Sequence, residues 1–585
     1  MINNIHNNMQ KKEMKLRIAS RTLISSVIKG ASNTMAVLNG EPERDGLDRN
    51  EPDNQGVMIV LTASNLEMSD FNLNPFLAFA GGFPQFLVQE KLYPLLPSNL
   101  DGTAKFAPYG LRKVESLLIE EFGEKNVVVT NPANLHRFVG PRTKIIGITT
   151  MDPLGTGFVS RTYSSILGLN GKPATLIEFE DLISNPTLRK FDARIIVGGS
   201  GAWQISEANM QEVLDIDTVV IGQAERSLVQ LFKKLLAGEE PGRVITMQTP
   251  IHEEIPQIKK ASIYGTVEIM RGCGRGCSFC SPTLRQRFSF PLDRILKEVE
   301  LNARNGSRMI MLQTDDLFLY QAKSNFIPNK DAIVDLINAV GKIPGVDYLQ
   351  MAHASLAPVV YDKSLVEEIA PVLVEKSVWT CRGTRCASVE VGIETGSARL
   401  MKQHMRGKML PYKPEQWQDV VVRAVEVLND NGINPLATLI LGLPGEQDDD
   451  VLATIDLLDR LEGSKIFYVP LLFTSEEESN LRRQKHGNLK NMDDSQWEVI
   501  SKCWKHNIDV WSPELSMTVM LASLISYPFY RLKHGKKIFE PIMRISGLED
   551  RFLGRKTGVK CQPDYCTPDL EFVKEDGVEE CGKTL

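Results

Sequence analysis

Residues 267–282 read VEIMRGCGRGCSFCSP, and the rest of the chain is interpreted outward from them. Cys273, Cys277 and Cys280 form a C-x3-C-x2-C triplet directly after an apolar, strand-like run. With nine Cys in 585 residues, chance would produce this spacing about 0.002 times, so the triplet is taken as a ligand set. Three thiolates on one tight loop can hold three irons of a 4Fe–4S cube and leave the fourth open to a further ligand. Gly272, Gly274 and Gly276 let the backbone wrap such a cube, since glycine accepts positive φ at no steric cost, and Phe279 precedes the last Cys. A zinc site would need a fourth ligand and usually pairs of Cys or His; this loop offers none.

C-x3-C-x-aromatic-C after a first strand resembles the signature of radical S-adenosylmethionine (SAM) enzymes. The resemblance implies that the open iron binds the amino and carboxylate groups of SAM. It also implies that an electron from the cluster cleaves SAM to methionine and a 5′-deoxyadenosyl radical.

Length and composition set the frame. A chain of 585 residues exceeds one core and predicts two or three domains. A net charge of −6 argues against a nucleic-acid backbone as partner. Sparse, clustered Cys suits reduced thiols and a cytoplasmic setting. No apolar run of 18 residues occurs, so no membrane span is expected. Residues 1–55 read as a flexible extension, within which Lys11 to Gly30 has the spacing of a basic amphipathic helix. That helix leaves peripheral membrane contact open.

From residue 56 to 250, short Val/Ile runs alternate with helical stretches. Strands are expected at 58–63, 126–131, 144–150, 174–180, 193–200 and 218–225, with helices at 108–123 and 226–237. This pattern predicts an α/β, doubly wound, Rossmann-like domain with ligands at the C-terminal strand ends. Thr150, Met151, Asp152, Gly155, Gly198, Gly199, Ser200 and Gly222 lie there. A domain of this kind just before the triplet resembles the cobalamin-binding domain of class B radical SAM enzymes, and these residues are the implied cobalamin contacts. The D-x-H-x-x-G cobalt-ligand pattern is missing. Asn134, His136 and Gly140 come nearest, and His136 reads as an ordinary loop residue.

From 251 to 475, strands at 267–272, 307–316, 347–353, 387–394, 434–446 and 465–473 predict a partial (βα)6 TIM barrel, with helices at 294–305, 330–340 and 414–431. The resemblance assigns SAM contacts to Phe279, to Asp315 and Asp316 in place of the family's G-G-E, to Glu394, and to Gly442 and Gly445 of LGLPGE. His353 is placed at the substrate cavity. Cys381 and Cys386 read as unligated thiols, with a second metal site alongside Cys503, Cys561, Cys566 or Cys581 as the alternative.

Residues 476–585 are expected to be a helical C-terminal region with an apolar stretch at 515–530 and an acidic tail. The functional expectation is a cobalamin-dependent radical SAM enzyme, methylating an unactivated carbon of a small molecule or lipid and served by a ferredoxin- or flavodoxin-like electron donor. Ring formation on lipid chains and a non-catalytic corrinoid or SAM sensor are the alternatives. Methylthiotransferases of tRNA share the triplet but use a second set of Cys; none occurs in residues 1–272.

Overall fold

A computed structural model describes residues 55–511, apart from 86, 87, 89, 167–171, 382 and 477, together with Leu532. The basic segment 11–30, the apolar stretch 515–530 and Cys561, Cys566 and Cys581 lie outside the described residues. Two compact units divide the chain chiefly at Tyr264/Gly265, later than the expected boundary at 250. The cause is a strap after the last strand of the first unit. Arg112 Nε donates to the Ala261 carbonyl at 2.8 Å, Lys113 Nζ to Pro256 at 2.6 Å, and the Lys259 amide to Ser116 Oγ at 3.1 Å. These bonds tie residues 256–261 to the helix Tyr109–Phe122.

In the first unit, β1 (Ile59–Thr62), β2 (Val127–Val129), β3 (Ile145–Thr149), β4 (Arg194–Gly198), β5 (Thr218–Ile221) and β6 (Val244–Thr246) make an all-parallel sheet in the order β2-β1-β3-β4-β5-β6. Successive side chains point to opposite faces, and both faces are covered. Val60, Ile146, Ile148, Ile195 and Val197 pack with Leu176, Phe179, Leu182 and Ile183. Ile59, Leu61, Val127, Ile145 and Ile196 pack with Leu111, Leu118, Leu228, Leu231 and Phe232. The order reverses between β1 and β3, which makes their C-terminal ends the crevice of a doubly wound sheet.

One expected strand is a helix: residues 174–180 lie within the helix Ala174–Ile183. A short apolar run cannot be told from a buried helical segment by periodicity alone. Here topology decides. Parallel neighbours β3 and β4 need a crossover, and Leu176, Phe179 and Ile183 sit at helical spacing on the face that covers the sheet. The two acids that broke the apolar pattern are accommodated: Glu178 accepts from Tyr93 Oη at 3.2 Å and Glu180 pairs with Lys172 at 2.6 Å. The edge strand β6 went unread because it is short and half exposed.

The second unit holds β7 (Val267–Glu268), β8 (Met309–Gln313), β9 (Tyr348–Met351), β10 (His353–Ala354), β11 (Ala387–Glu394), β12 (Ile433–Leu441) and β13 (Phe467–Leu472). Every pairing among them is parallel, β7-β8-β9 on one side and β10-β11-β12-β13 on the other. Ala352 joins the halves: its amide donates to Leu312 O at 3.2 Å and its carbonyl accepts from Glu390 N at 3.1 Å. Crossover helices include Leu292–Arg304, Lys330–Gly341, Lys363–Glu375, Ala398–His404, Trp417–Asp430 and Asp448–Arg460. The result is the six-step parallel βα series of a partial barrel. Among the described residues, no helix is long and apolar enough to cross a membrane.

Candidate active site at the strand ends

The cysteine loop is an excursion from the first barrel strand. After β7 the chain runs through Met270–Arg271, which pairs antiparallel with Phe288–Ser289 and closes the base of the loop. Gly272, Gly274 and Gly276 have φ of 76°, 73° and 77°, the left-handed region that the triplet's geometry requires of them. The Gly276 amide donates to Thr283 Oγ1 at 2.5 Å and the Cys273 amide to Pro282 O at 3.3 Å.

Burial raises all three thiols, Cys273 up to about 12, and the neighbouring sulfurs push Cys280 further in the same direction. Thiols held neutral by lost water are the state from which a metal, binding thiolates, releases protons.

A buried latch fixes the loop. Arg275 pairs with Asp316 at 3.0 Å and donates to Gly407 O at 2.9 Å and Ser355 Oγ at 3.0 Å. Asp316 also accepts from Ser355 Oγ at 2.6 Å and from the amides of Ser355 and Phe318 at 3.1 Å each. Both oxygens of Asp316 are therefore engaged within the protein, and its role in this geometry is to hold the loop rather than to face a ligand. Asp315 differs: among the described residues it accepts one bond, from the Gly272 amide at 2.8 Å, and burial raises its pKa.

Glu394 ends β11 at φ 64°, a left-handed conformation for a non-glycine residue at a register shift in the strand. Lys408 Nζ donates to its Oε1 at 2.7 Å and Thr438 Oγ1 to its Oε2 at 3.2 Å. Burial alone would lower Lys408, but Glu394, Cys277 and Cys280 outweigh it and hold the ammonium charged. The pair lies over Gly392, where an added Cβ would stand 1.9 Å from Glu394 Oε1 and 2.3 Å from Lys408 Nζ.

The LGLPGE segment is brought to the same place by His404. Its Nε2–H donates to Pro444 O at 2.9 Å, which leaves Nδ1 to accept from Ser278 Oγ at 2.8 Å. Gly442 and Gly445 take φ of 78° and 84°; the Gly442 amide donates to Glu446 Oε1 at 3.0 Å. Phe279 is half-buried on the loop itself. His353 is exposed to 41 %, stands 3.6 Å from Glu390 and acts electrostatically on Asp315. Lys408, His404, Arg275 and Glu390 were missed by the sequence reading. Lys408 and Arg275 carried no periodic or motif signal, but a cation next to a thiolate cluster is a residue worth seeking.

Cys386 is buried and Cys381 half-buried, beside a short hairpin that pairs Cys381 with Thr384. Cys503 is fully buried in the helix Asp494–Trp511.

In the first unit the switch-point crevice is lined by Glu67, which accepts from the Met151 amide at 2.9 Å and Thr150 Oγ1 at 3.1 Å. Burial raises it to about 7. Asp152 accepts from the Gly157 amide and Gln204 Nε2, both at 2.8 Å, from Thr175 Oγ1 at 3.3 Å, and from Ser160 Oγ. Gly199 and Gly201 let two loops touch, with the Gly201 amide donating to Thr150 O at 3.0 Å. Met151 at 63 % and Ser200 remain exposed, while Gly155 packs on Pro173 and Gly222 has φ 92°. His136 Nδ1 lies 3.0 Å from Ala133 O.

Residues 267–458 match the model of the Radical SAM superfamily, about a third of the chain. Curated relatives include tRNA-2-methylthio-N(6)-dimethylallyladenosine synthase of Helicobacter pylori (strain P12), 27% identical over 37% of this chain and 46% of that protein. The enzyme of that name from Vesicomyosocius okutanii subsp. Calyptogena okutanii (strain HA) is 25% identical over 46% of this chain and 58% of its own length. The chain thus spans about half the length of the curated relatives it matches. Among solved structures, the radical S-adenosylmethionine methyltransferase TsrM from Kitasatospora setae, with cobalamin and a 4Fe–4S cluster bound, is 16% identical at a TM-score of 0.47, over 73% of this chain and 74% of that one. At that distance the likeness says nothing about ligands.

Proposed function

We propose that this chain, whose residues 267–458 form a radical SAM domain, is a cobalamin-dependent radical SAM enzyme that methylates an unactivated carbon. A radical SAM domain implies a 4Fe–4S cluster and SAM, which together supply one-electron cleavage of SAM to a carbon radical that side chains cannot generate. The observation that carries the cobalamin part is a complete doubly wound parallel sheet, with its switch-point loops built, in the residues just before the cysteine loop.

The chain's own groups have definable tasks. Cys273, Cys277 and Cys280 would hold the cube. Lys408 offsets the negative charge that thiolates bring to Cys277 and Cys280, favouring arrival of an electron. The Arg275–Asp316 latch and His404 fix the loop against Ser355, Gly407 and Pro444, so that SAM meets a preset surface. Asp315, Glu394 and the backbone of Gly442 and Gly445 would receive the polar groups of SAM. In the first unit Met151, Ser200 and the strand-end backbone would receive the corrinoid, with no imidazole on cobalt. A one-electron donor such as a ferredoxin or flavodoxin is required to reduce the cube.

Methylthiolation, the activity named for the curated relatives, is the second reading. It is disfavoured because residues 1–272 contain no Cys to hold a second cluster. Anaerobic reconstitution of the full chain with iron, sulfide and hydroxocobalamin tests the proposal. Expected are about four irons and one corrinoid per chain, 5′-deoxyadenosine from SAM, and a cob(II)alamin EPR spectrum without nitrogen splitting. Iron and SAM cleavage without corrinoid would leave a radical SAM enzyme with a repurposed first domain.

A further inference from the structure

Carboxylates on the barrel strands and at their C-terminal ends are not treated alike. Glu268 on β7 is clamped by Arg271 at 2.7 and 2.9 Å. Asp315, after β8, accepts the Gly272 amide, and Glu394 holds Lys408 and Thr438. Glu390, in the middle of β11, is the exception. Among the described residues the nearest titratable group to it is His353 Nδ1 at 3.6 Å, beyond hydrogen-bond reach, although its side chain is only 17 % exposed.

The orientation of Glu390 follows from register. Its strand neighbours Val389, Val391 and Ile393 are 0–1 % exposed and point to the opposite face, so Glu390 points inward. His353 is its Cα partner across β10 and points the same way. The groups that act on Glu390 electrostatically are His353, Glu394 and Lys408, and Lys408 is already shared between Glu394 and two thiols. A carboxylate so placed, with no hydrogen-bond donor among the described residues, has only water at its open edge and a shared, distant cation to balance it.

Resting on the reading of this barrel mouth as the substrate site, we infer that Glu390 anchors a protonated nitrogen of the substrate. The substrate group presented to the barrel is then an amine or comparable cationic nitrogen, and a bare hydrocarbon chain is disfavoured. A lipid tail laid against Glu390 would seal a carboxylate from water with nothing to pair it. A cationic nitrogen would make the short, charge-assisted bond that the protein withholds. His353, half exposed beside it at 3.6 Å, does not take the ligand's place.

The probes are n-butylammonium and n-butanol, alike in shape and different in charge, titrated at matched ionic strength against the full-length chain, with thermal unfolding as readout. n-Butylammonium should raise Tm saturably in the wild type and in H353N, while E390Q should need at least ~10-fold more of it; n-butanol should do nothing. Equal responses in wild type and E390Q, no response in wild type, or an equal effect of n-butanol would each overturn the inference. So would loss of SAM affinity in E390Q with n-butylammonium competing against SAM, since Glu390 would then hold SAM. Reductive SAM cleavage by the wild type is followed separately. Its absence with the amine response intact would remove the radical SAM reading and leave the Glu390 site standing.

Discussion

Both units place loops at the C-terminal ends of parallel strands, yet the two sets of loops are finished in opposite ways. At the switch point of the first sheet the polar groups satisfy one another: Asp152 alone gathers Gly157, Ser160, Thr175 and Gln204, and Glu67 gathers Thr150 and Met151. At the barrel mouth, among the described residues, the Glu390 carboxylate accepts no hydrogen bond, and Cys273 and Cys280 have only the backbone of Arg275 and Thr283, while the latch around Asp316 is complete. A loop with its polar groups internally paired offers shape and backbone to a ligand. A loop with buried groups left over requires one.

The largest effect that would sharpen this contrast is at the thiols. Cys273→Ala, Cys277→Ala or Cys280→Ala should each abolish 5′-deoxyadenosine formation and cut bound iron to near zero, measured anaerobically by iron assay and chromatography. Cys386→Ala should leave iron unchanged. Full SAM cleavage in any triplet variant would refute the cluster assignment.

Next comes the charged pair over Gly392. Lys408→Met leaves Glu394 buried beside thiolates with no counter-charge, and SAM affinity by anaerobic calorimetry should fall by at least ~10-fold. Gly392→Ala places a Cβ within 2.3 Å of both charged groups and should do the same without altering any charge. A normal SAM affinity in both variants would show that the pair is structural only.

A smaller, purely structural loss is expected in the first unit. Asp152→Ala deprives four donors of their acceptor and should destabilise the unit by about 3 kcal/mol, seen as a lower first transition in denaturant. Iron binding should remain. If iron falls with it, the two sets of loops are not independent.

The smallest effect concerns Glu67. A carboxyl raised from 4.5 to about 7 on folding means the native state binds the extra proton. Its stabilising contribution is therefore complete below pH 4.5 and is lost as pH rises through about 7. Glu67→Gln should raise Tm relative to wild type at pH 8.5, by roughly 5 °C, and leave it little changed near pH 5. A pH-independent difference would mean that Glu67 is not held protonated by burial.

Much of this was legible from spacing. The triplet and its glycines announced a cluster loop because ligand sets and positive φ are local demands, and the six barrel strands followed from the βα rhythm that resumes after it. Residues 174–180 misled because a short apolar run suits either element until the neighbouring strands are known to be parallel. Asp315 and Asp316 are adjacent in the chain and looked interchangeable. One accepts the Gly272 amide beside the cysteine loop; the other is engaged at both oxygens by Arg275, Ser355 and Phe318.

What the sequence determined by itself were the properties fixed within a few residues: the thiol spacing, the left-handed glycines, the strand periodicity and the order of the two parallel βα series. The tertiary structure alone decided which polar groups end up paired. Lys408 lies far along the chain from Cys277 and Cys280, His404 spans Ser278 and Pro444, and Glu390 meets His353 across the strand. Whether a buried charge has a partner depends on atoms that packing brings together from distant positions, and the burial that makes the answer matter does not exist until the chain has folded.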